Sequence, residues 1–281
     1  MTAPRLRPFA QVDVFSAEAY RGNPLAVVLD AEGLDAAVMQ QFANWTNLAE
    51  TTFLLPPTDP GADYRVRIFT GSEEFPFAGH PTLGSAHAWL EAGGIPARDG
   101  IVVQECAAGL VRVKRDGGRL AFAAPPLTRS GPVAAPDLAR IAAGLGLPQE
   151  ALLDASWLVN GPEWIGVLLE SAAQVLAIRP DYAALAGLKV GVIGPHPAGS
   201  DVGFEVRTFI PGDAAAEDPV TGSFNAGAAQ WLIGTGRAPG SYLAAQGTVL
   251  GRAGRVNIEA SDGDIWVGGQ SVSCIEGFVL L

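Results

Sequence analysis

Glu50 stands where a carboxylate can take up and return a proton. It follows Asn47-Leu48-Ala49 and leads into the apolar run Thr51-Thr52-Phe53-Leu54-Leu55, so its side chain is expected to be partly desolvated. A carboxylate in such surroundings suits general acid/base work. The competing reading is a solvated loop glutamate with no chemical task.

Two further polar candidates come from a repeated phrase. His80-Pro81-Thr82-Leu83-Gly84-Ser85-Ala86-His87-Ala88 and Asp218-Pro219-Val220-Thr221-Gly222-Ser223-Phe224-Asn225-Ala226 share Pro, Gly, Ser and Ala in register. Each trails an Arg-x-Phe strand, Arg67-Ile68-Phe69 in one half and Arg207-Thr208-Phe209 in the other. Proline is well tolerated at a first helical position, because the amide it lacks has no helical partner there. The phrase therefore predicts two helices that begin at Pro81 and Pro219, with His80 and Asp218 at their N-caps. Unpaired amides and the helix dipole make such ends receptive to carboxylate or phosphate groups. Glycine in the first turn lets a ligand approach the backbone closely. Asp218 is also explicable as an ordinary cap worth about 1 kcal/mol, whereas histidine is a poor cap and His80 is harder to explain structurally.

The remaining polar residues carry weaker signals. His87 lies two helical turns beyond His80, roughly 10 Å along the axis, too far for one metal ion to bridge, and reads as a packed or surface histidine. His196 reads as loop, Glu73-Glu74 as a charged turn, and Asp213 as a turn residue. Arg67 and Arg207 can bind a carboxylate but more often occupy a strand's polar face. No Cys/His cluster has metal-ligand spacing. Neither a phosphate-binding glycine loop after a strand nor a Gly-x-Ser-x-Gly elbow occurs. Neither a metal nor a cofactor is therefore expected.

The elements that must position these residues are mostly strands. Period-2 or β-rich runs fall at 9–15, 25–29, Thr51–Leu55, Tyr64–Phe69, 101–105, 110–114 and Arg119–Ala123, and again at 157–160, 164–169, 190–193, 202–209, 256–260, 265–267 and 272–275. Helical patterns are few. Leu34, Val38, Phe42 and Trp45 share one face, as do Leu83, Ala86 and Leu90 in a helix ended by Gly93-Gly94. A third helix is predicted over 219–233, with shorter ones at 138–145 and 182–188. Many strands with one long helix per half predict an α+β protein of two similar domains, 1–125 and 133–273. The proline-rich segment 126–132 reads as their linker, and a last strand at about 274–281 could return to the first domain.

Bulk composition narrows the partners. The chain has 281 residues and a net charge of −11, with no Lys/Arg cluster, so a nucleic-acid footprint is missing. No apolar run approaches the roughly 20 residues of a membrane helix, and no apolar stretch of signal-peptide type follows the charged start. Two cysteines, Cys106 and Cys274, do not make a disulfide framework and read as thiols in a reducing cytoplasm.

Taken together and in order, Gly22-Asn23-Pro24, Asn47-Leu48-Ala49-Glu50-Thr51-Thr52-Phe53, Phe77-Ala78-Gly79-His80-Pro81-Thr82-Leu83-Gly84 and Glu217-Asp218-Pro219-Val220-Thr221-Gly222-Ser223 resemble the PhzF-like family, named for a phenazine biosynthesis isomerase. The resemblance covers essentially the whole chain. It implies the diaminopimelate-epimerase-like fold, two pseudo-symmetric domains each with a mostly antiparallel sheet curled around a central helix, and a site in the cleft between them. It also implies a cytoplasmic, cofactor-free isomerase, commonly a homodimer in a biosynthetic process, that moves a proton on a small anionic substrate. Matched residue by residue, the family's catalytic glutamate falls on Glu50, its histidine on His80 and its aspartate on Asp218, with Gly79, Gly222 and Ser223 lining the substrate. Ala49 stands where the family usually has serine. Phe224 stands where a small residue is typical, either narrowing the pocket or filling core. Epimerases of this fold carry a cysteine at each helix start, and His80 and Asp218 disfavour such a two-thiol racemase. The alternatives are an epimerase or racemase using Glu50 with His80 or Asp218, and a non-catalytic small-molecule binding protein on the same scaffold.

Overall fold

The computed structural model describes residues 4–212 and 215–281; Asp213, read above as a turn residue, lies outside them. The chain divides into two compact units, Met1–Ala123 with Gly268–Leu281, and Ala124–Val267. Unit 1 runs β1 (Leu6–Val14), β2 (Asn23–Val28), α1 (Ala36–Thr46), β3 (Thr51–Leu55), β4 (Tyr64–Phe69), β5 (Glu74–Phe75), α2 (Gly79–Glu91), β6 (Ile101–Cys106), β7 (Gly109–Asp116) and β8 (Arg119–Ala123). Unit 2 continues with β9 (Arg129–Pro132), α3 (Ala135–Leu145), β10 (Asp154–Val159), β11 (Glu163–Leu168), α4 (Ala172–Ala177), β12 (Lys189–Pro195), β13 (Phe204–Phe209), β14 (Glu217–Asp218), α5 (Gly222–Gly234), β15 (Ser241–Gln246) and β16 (Gly254–Ser261). β17 (Asp264–Gly269) runs through the boundary, and β18 (Ser271–Leu280) belongs to unit 1. It is an α+β architecture of many strands and few helices.

The two units repeat one pairing pattern. In unit 1, β1–β2 is antiparallel, β2–β3 parallel, β3–β4 antiparallel, β4–β6 parallel and β6–β7 antiparallel. Unit 2 follows the same order with β10–β11, β11–β12, β12–β13, β13–β15 and β15–β16. Parallel neighbours need a crossover, usually a helix. α2 is the crossover from β4 to β6, and α5 the crossover from β13 to β15. That connection explains why each half has one deeply buried helix. Nine of the 13 residues of α2 and nine of the 13 of α5 are buried, so neither shows the single apolar stripe of a surface helix. α2 lies against β1, β2, β3, β6, β7, β8 and β18. α5 lies against β10, β11 and β16.

Separate cores fill the units. Val28, Met39, Ala43, Phe53 and Phe69 cluster in unit 1, with Val279 and Leu281 packed on them. Ile141, Leu145, Ile165, Val167, Val175, Val190, Val192 and Phe209 cluster in unit 2.

Several elements differ from their sequence reading. α1 buries Met39 and Ala43 rather than Trp45, which is 77% exposed and stacks on Phe42 instead. Residues 182–187 form turns, not a helix: Asp181 accepts the amides of Ala183 and Ala184 as at a helix start, but Gly187 turns left-handed at φ 79° and ends the segment within two turns. The segment 126–132 contains β9, whose Arg129–Pro132 pairs with β10, so its latter half is sheet rather than linker. β15 escaped notice because Ala244 and Ala245 lack β-branched character; it is nevertheless held between β13 and β16. No helix among the described residues is long and apolar enough to cross a membrane.

Candidate active site

In unit 1 the site is built where α1 ends and α2 begins. Asn47 closes α1 in the left-handed conformation (φ 55°, ψ 31°), which asparagine tolerates. The Thr46 hydroxyl donates to the Ala43 carbonyl at 2.8 Å and lies 3.0 Å from the Thr51 hydroxyl, tying the helix end to β3. Glu50 occupies the connection between them, with its side chain 17% exposed. Its Oε2 lies 3.1 Å from Nδ1 of His80, whose side chain is 5% exposed. The partly desolvated carboxylate and the buried imidazole thus form one close pair. An imidazole and a carboxylate at this separation can share or exchange a proton.

His80 is not an N-cap. α2 starts at Gly79, the cap position is Ala78 with extended backbone, and His80 is the second helical residue. Pro81 is tolerated as the third because its missing amide would still be one of the orphaned first four. Gly79 is glycine for packing: a Cβ there would sit 2.4 Å from Cζ of Phe122. Under the helix start, the buried Gln104 receives the Tyr64 hydroxyl (3.0 Å) and donates to the Thr82 hydroxyl (3.0 Å), which donates to the Ala78 carbonyl (2.9 Å).

In unit 2 the second departure is larger. α5 starts at Gly222 rather than Pro219, with Thr221 at the cap position. Asp218 lies four residues before the helix, in β14, where it pairs with Thr208. The Thr221 hydroxyl donates to Asp218 Oδ2 at 2.6 Å. Ser223 is the second helical residue. Its Oγ accepts from the Trp164 indole at 3.0 Å, and its carbonyl accepts from Asn160 at 2.8 Å. An indole N–H only donates, so the Ser223 hydroxyl proton stays available to an acceptor.

These positions reveal that the repeated phrase is not the structural repeat. The first two residues of the two buried helices are Gly79-His80 and Gly222-Ser223. Six residues into each helix, Gly84 packs on Val14 and Leu25 while Gly227 packs on Leu158, in the corresponding β1/β2 and β10 positions. His80 thus corresponds to Ser223, and the shared Pro-x-x-Gly-Ser lettering is out of step with the fold. The Arg-x-Phe strands do correspond, since Phe69 pairs with Glu74 and Phe209 with Glu217. Arg67 makes two bonds of 2.7 Å to Glu74, and Arg207 two of 2.8 Å to Glu217. The first pair is partly exposed, whereas Arg207 and Glu217 are buried, at 3% and 7%. Glu74 is therefore a strand residue with a partner, not a turn charge.

Both buried helix starts lack a side-chain cap. α1 and α4, by contrast, are capped by Asp35 and Ser171. An uncapped helix start inside the protein leaves amides that a bound anion can satisfy. Gly79, Gly222 and Ser223 stand at those starts.

Other candidates fall elsewhere. His87 bonds to Ser273 and Glu91 at 3.2 Å each, and burial pushes its imidazole below its ordinary range despite the Glu91 charge. His196 pairs with the buried Glu205 at 3.0 Å. Phe224 is fully buried and packs edge-on against Trp164, with ring centroids 5.7 Å apart, so it fills core. Ala49 is exposed. The supporting residues Thr221, Gln246, Trp164, Asn160 and Gln104 were not marked as functional by the sequence. Only Thr221 lay inside a quoted motif, and the others act across chain separations that local patterns do not carry.

A family model described as phenazine biosynthesis-like protein (PhzC-PhzF) matches residues 12–277. The chain is 37% identical to antisense-enhancing sequence 1 of Schizosaccharomyces pombe, covering 96% of this chain and 97% of that one. It is 32% identical to trans-2,3-dihydro-3-hydroxyanthranilate isomerase of Pseudomonas aeruginosa, over 95% and 94% of the two chains. Among solved structures, a phenazine biosynthesis PhzF family protein of Enterococcus faecalis superposes with a TM-score of 0.81 at 26% identity, over 99% of this chain and 100% of that one.

Proposed function

The chain belongs to the phenazine biosynthesis-like (PhzC-PhzF) family and is an isomerase, and on that premise we propose that it shifts a proton within a small carboxylate-bearing substrate without a cofactor. Glu50 takes a proton from one carbon and returns it to another. The electron pair left behind moves the double bond, so the product is an isomer and nothing is oxidised. His80 orients Glu50 and assists the transfer. Asp218 positions the substrate's polar groups, the helix-start amides of Gly222 and Ser223, with the Ser223 hydroxyl, receive its carboxylate, and Gly79 is a lining residue.

The single observation that carries this reading is the Glu50–His80 pair, 3.1 Å apart with a buried imidazole. A carboxylate beside an imidazole at an uncapped helix start supports this reading. The named activity of the Pseudomonas relative and the uncapped helix starts support the substrate class.

The test is incubation with trans-2,3-dihydro-3-hydroxyanthranilate and related cyclic unsaturated amino-carboxylates in heavy water, followed by proton NMR. Deuterium at a new carbon together with a moved double bond is the expected result. Label confined to a stereocentre would mean an epimerase, and binding without exchange across the series would mean a binding protein; either outcome overturns the proposal. We also propose that the enzyme works as a cytoplasmic homodimer, bound to neither nucleic acid nor membrane. A single 29.0 kDa species in sedimentation at micromolar concentration would remove the dimer.

A further inference from the structure

We propose that Thr221 and Gln246 are positioning residues that fix the orientation and the proton-accepting role of the Asp218 carboxylate. This rests on the reading that Asp218 acts on the substrate.

The argument follows donors and acceptors whose identity is not open. The Thr221 carbonyl can only accept, so the Asn225 atom 2.9 Å away is its NH2 group. The remaining amide contact of that NH2 group is Oε1 of Gln246, at 2.9 Å. The Thr221 backbone N–H also donates to Gln246 Oε1, at 3.0 Å. Both contacts hold the Gln246 oxygen on the helix side, which turns its NH2 towards the Thr208 hydroxyl (3.1 Å), the Asp218 carbonyl (3.2 Å) and the Thr221 hydroxyl (3.0 Å). Thr221 Oγ thus accepts from Gln246. It lies 2.7 Å from the Thr208 hydroxyl, and 2.6 Å from Asp218 Oδ2. The Thr221 hydroxyl donates to Asp218 Oδ2, the direction an ionised carboxylate in the proposed role requires, so its one proton is spent there and the Thr208 hydroxyl donates to Thr221. The 2.6 Å separation is that of an O–H donor to a charged oxygen.

The bracing residues around the half-buried Asp218 are themselves buried. Thr208 and Gln246 are fully buried, Asn225 is 1% exposed and Thr221 5%. Their wiring leaves the Thr221 proton a single destination. Asp218 is then held by its backbone in β14, by the Gln246 bond to its carbonyl and by the Thr221 bond to its carboxylate. Unit 1 supports its own site helix in a similar way, with the buried Gln104 of the following strand gripping Thr82. Two halves that differ in site residues therefore share a buried glutamine–threonine brace.

The test compares Thr221→Val, which removes the hydroxyl at equal size, with Thr221→Ser, which keeps it. In crystal structures the Asp218 carboxylate is expected to leave its position in Thr221→Val, with α5 in place, and to stay in Thr221→Ser. With trans-2,3-dihydro-3-hydroxyanthranilate as probe, the solvent-exchange rate should fall about 10²-fold for Thr221→Val, stay within about threefold of wild type for Thr221→Ser, and fall no further when Thr221→Val is added to Asp218→Asn. An unmoved carboxylate in Thr221→Val, equal impairment of both Thr221 variants, or additive loss with Asp218→Asn would overturn the proposal. If the valine variant does not fold, Thr221→Ala against Thr221→Ser makes the same comparison. Asp218→Asn at full rate would remove the catalytic reading of Asp218, while the crystallographic comparison would still decide the brace.

Discussion

His80 Nδ1 lies 3.1 Å from Glu50 Oε2, so a residue in the first turn of α2 and one in the loop after α1 form a carboxylate–imidazole pair, to which the proposed function gives the proton transfer. The pair joins two elements that the chain reaches separately, and it is the natural target for the first experiment.

Glu50→Gln and His80→Asn should each lower turnover by about 10² to 10⁴, and Glu50→Gln should leave the melting temperature near wild type, since Glu50 lies outside regular structure. Acting as a unit, they should be non-additive: the double variant should lose no more than the worse single one. Steady-state rates that multiply in the double variant would mean that the two side chains work independently.

The two Arg–Glu clamps should differ sharply in what they contribute to stability. Glu217→Ala leaves Arg207 buried without its carboxylate and should cost about 3 to 5 kcal/mol. Glu74→Ala breaks a partly exposed pair and should cost about 1 kcal/mol or less. Urea denaturation of both variants measures the contrast, and equal losses would contradict the burial difference.

Phe224 reads as core, so Phe224→Ala should destabilise by about 3 to 5 kcal/mol rather than widen substrate choice. A Cβ on Gly191 would lie 2.0 Å from Cε2 of Phe224, so Gly191→Ala should be far less harmful in the Phe224→Ala background than alone. Calorimetric melting of the three variants gives the coupling directly.

His87 supplies a pH signature. Burial holds its imidazole below the ordinary 6.5, against the opposing pull of Glu91 and Glu276. The folded state therefore binds a proton less readily than the unfolded chain. Stability is fully present above about pH 6.5 and is lost as the pH falls through the lowered folded value. His87→Gln should flatten that decline in denaturation midpoints measured from pH 7.5 to 5, and an unchanged slope would assign it to other groups.

Much of the scaffold was legible before folding. Thr51–Leu55, Tyr64–Phe69 and Arg119–Ala123 match their strands because each is a short run rich in β-branched, aromatic or large apolar residues bounded by turn residues. α3 ends at Leu145 because Gly146 takes the left-handed cap. Trp45 and residues 182–188 misled because periodicity marks an apolar face without saying what covers it. At Trp45 no element among the described residues does, and at 182–187 the left-handed Gly187 stops the helix that Asp181 could begin.

The sequence by itself determined which residue types could do chemistry. A carboxylate entering an apolar strand, a histidine near a proline and glycine, and an aspartate before Pro219 are visible as letters. What the tertiary structure alone decided is their register and their company. It moved the start of α5 past Asp218, matched His80 with Ser223 instead of Asp218, and brought Gln246 to Thr221. The physical reason is that a helix start is set by where strand pairing releases the chain. β14 holds Asp218 in its ladder with Thr208, so α5 cannot begin until Gly222. Hydrogen-bond partners from β15 and β11 lie far along the chain, and no local pattern encodes which of them will meet.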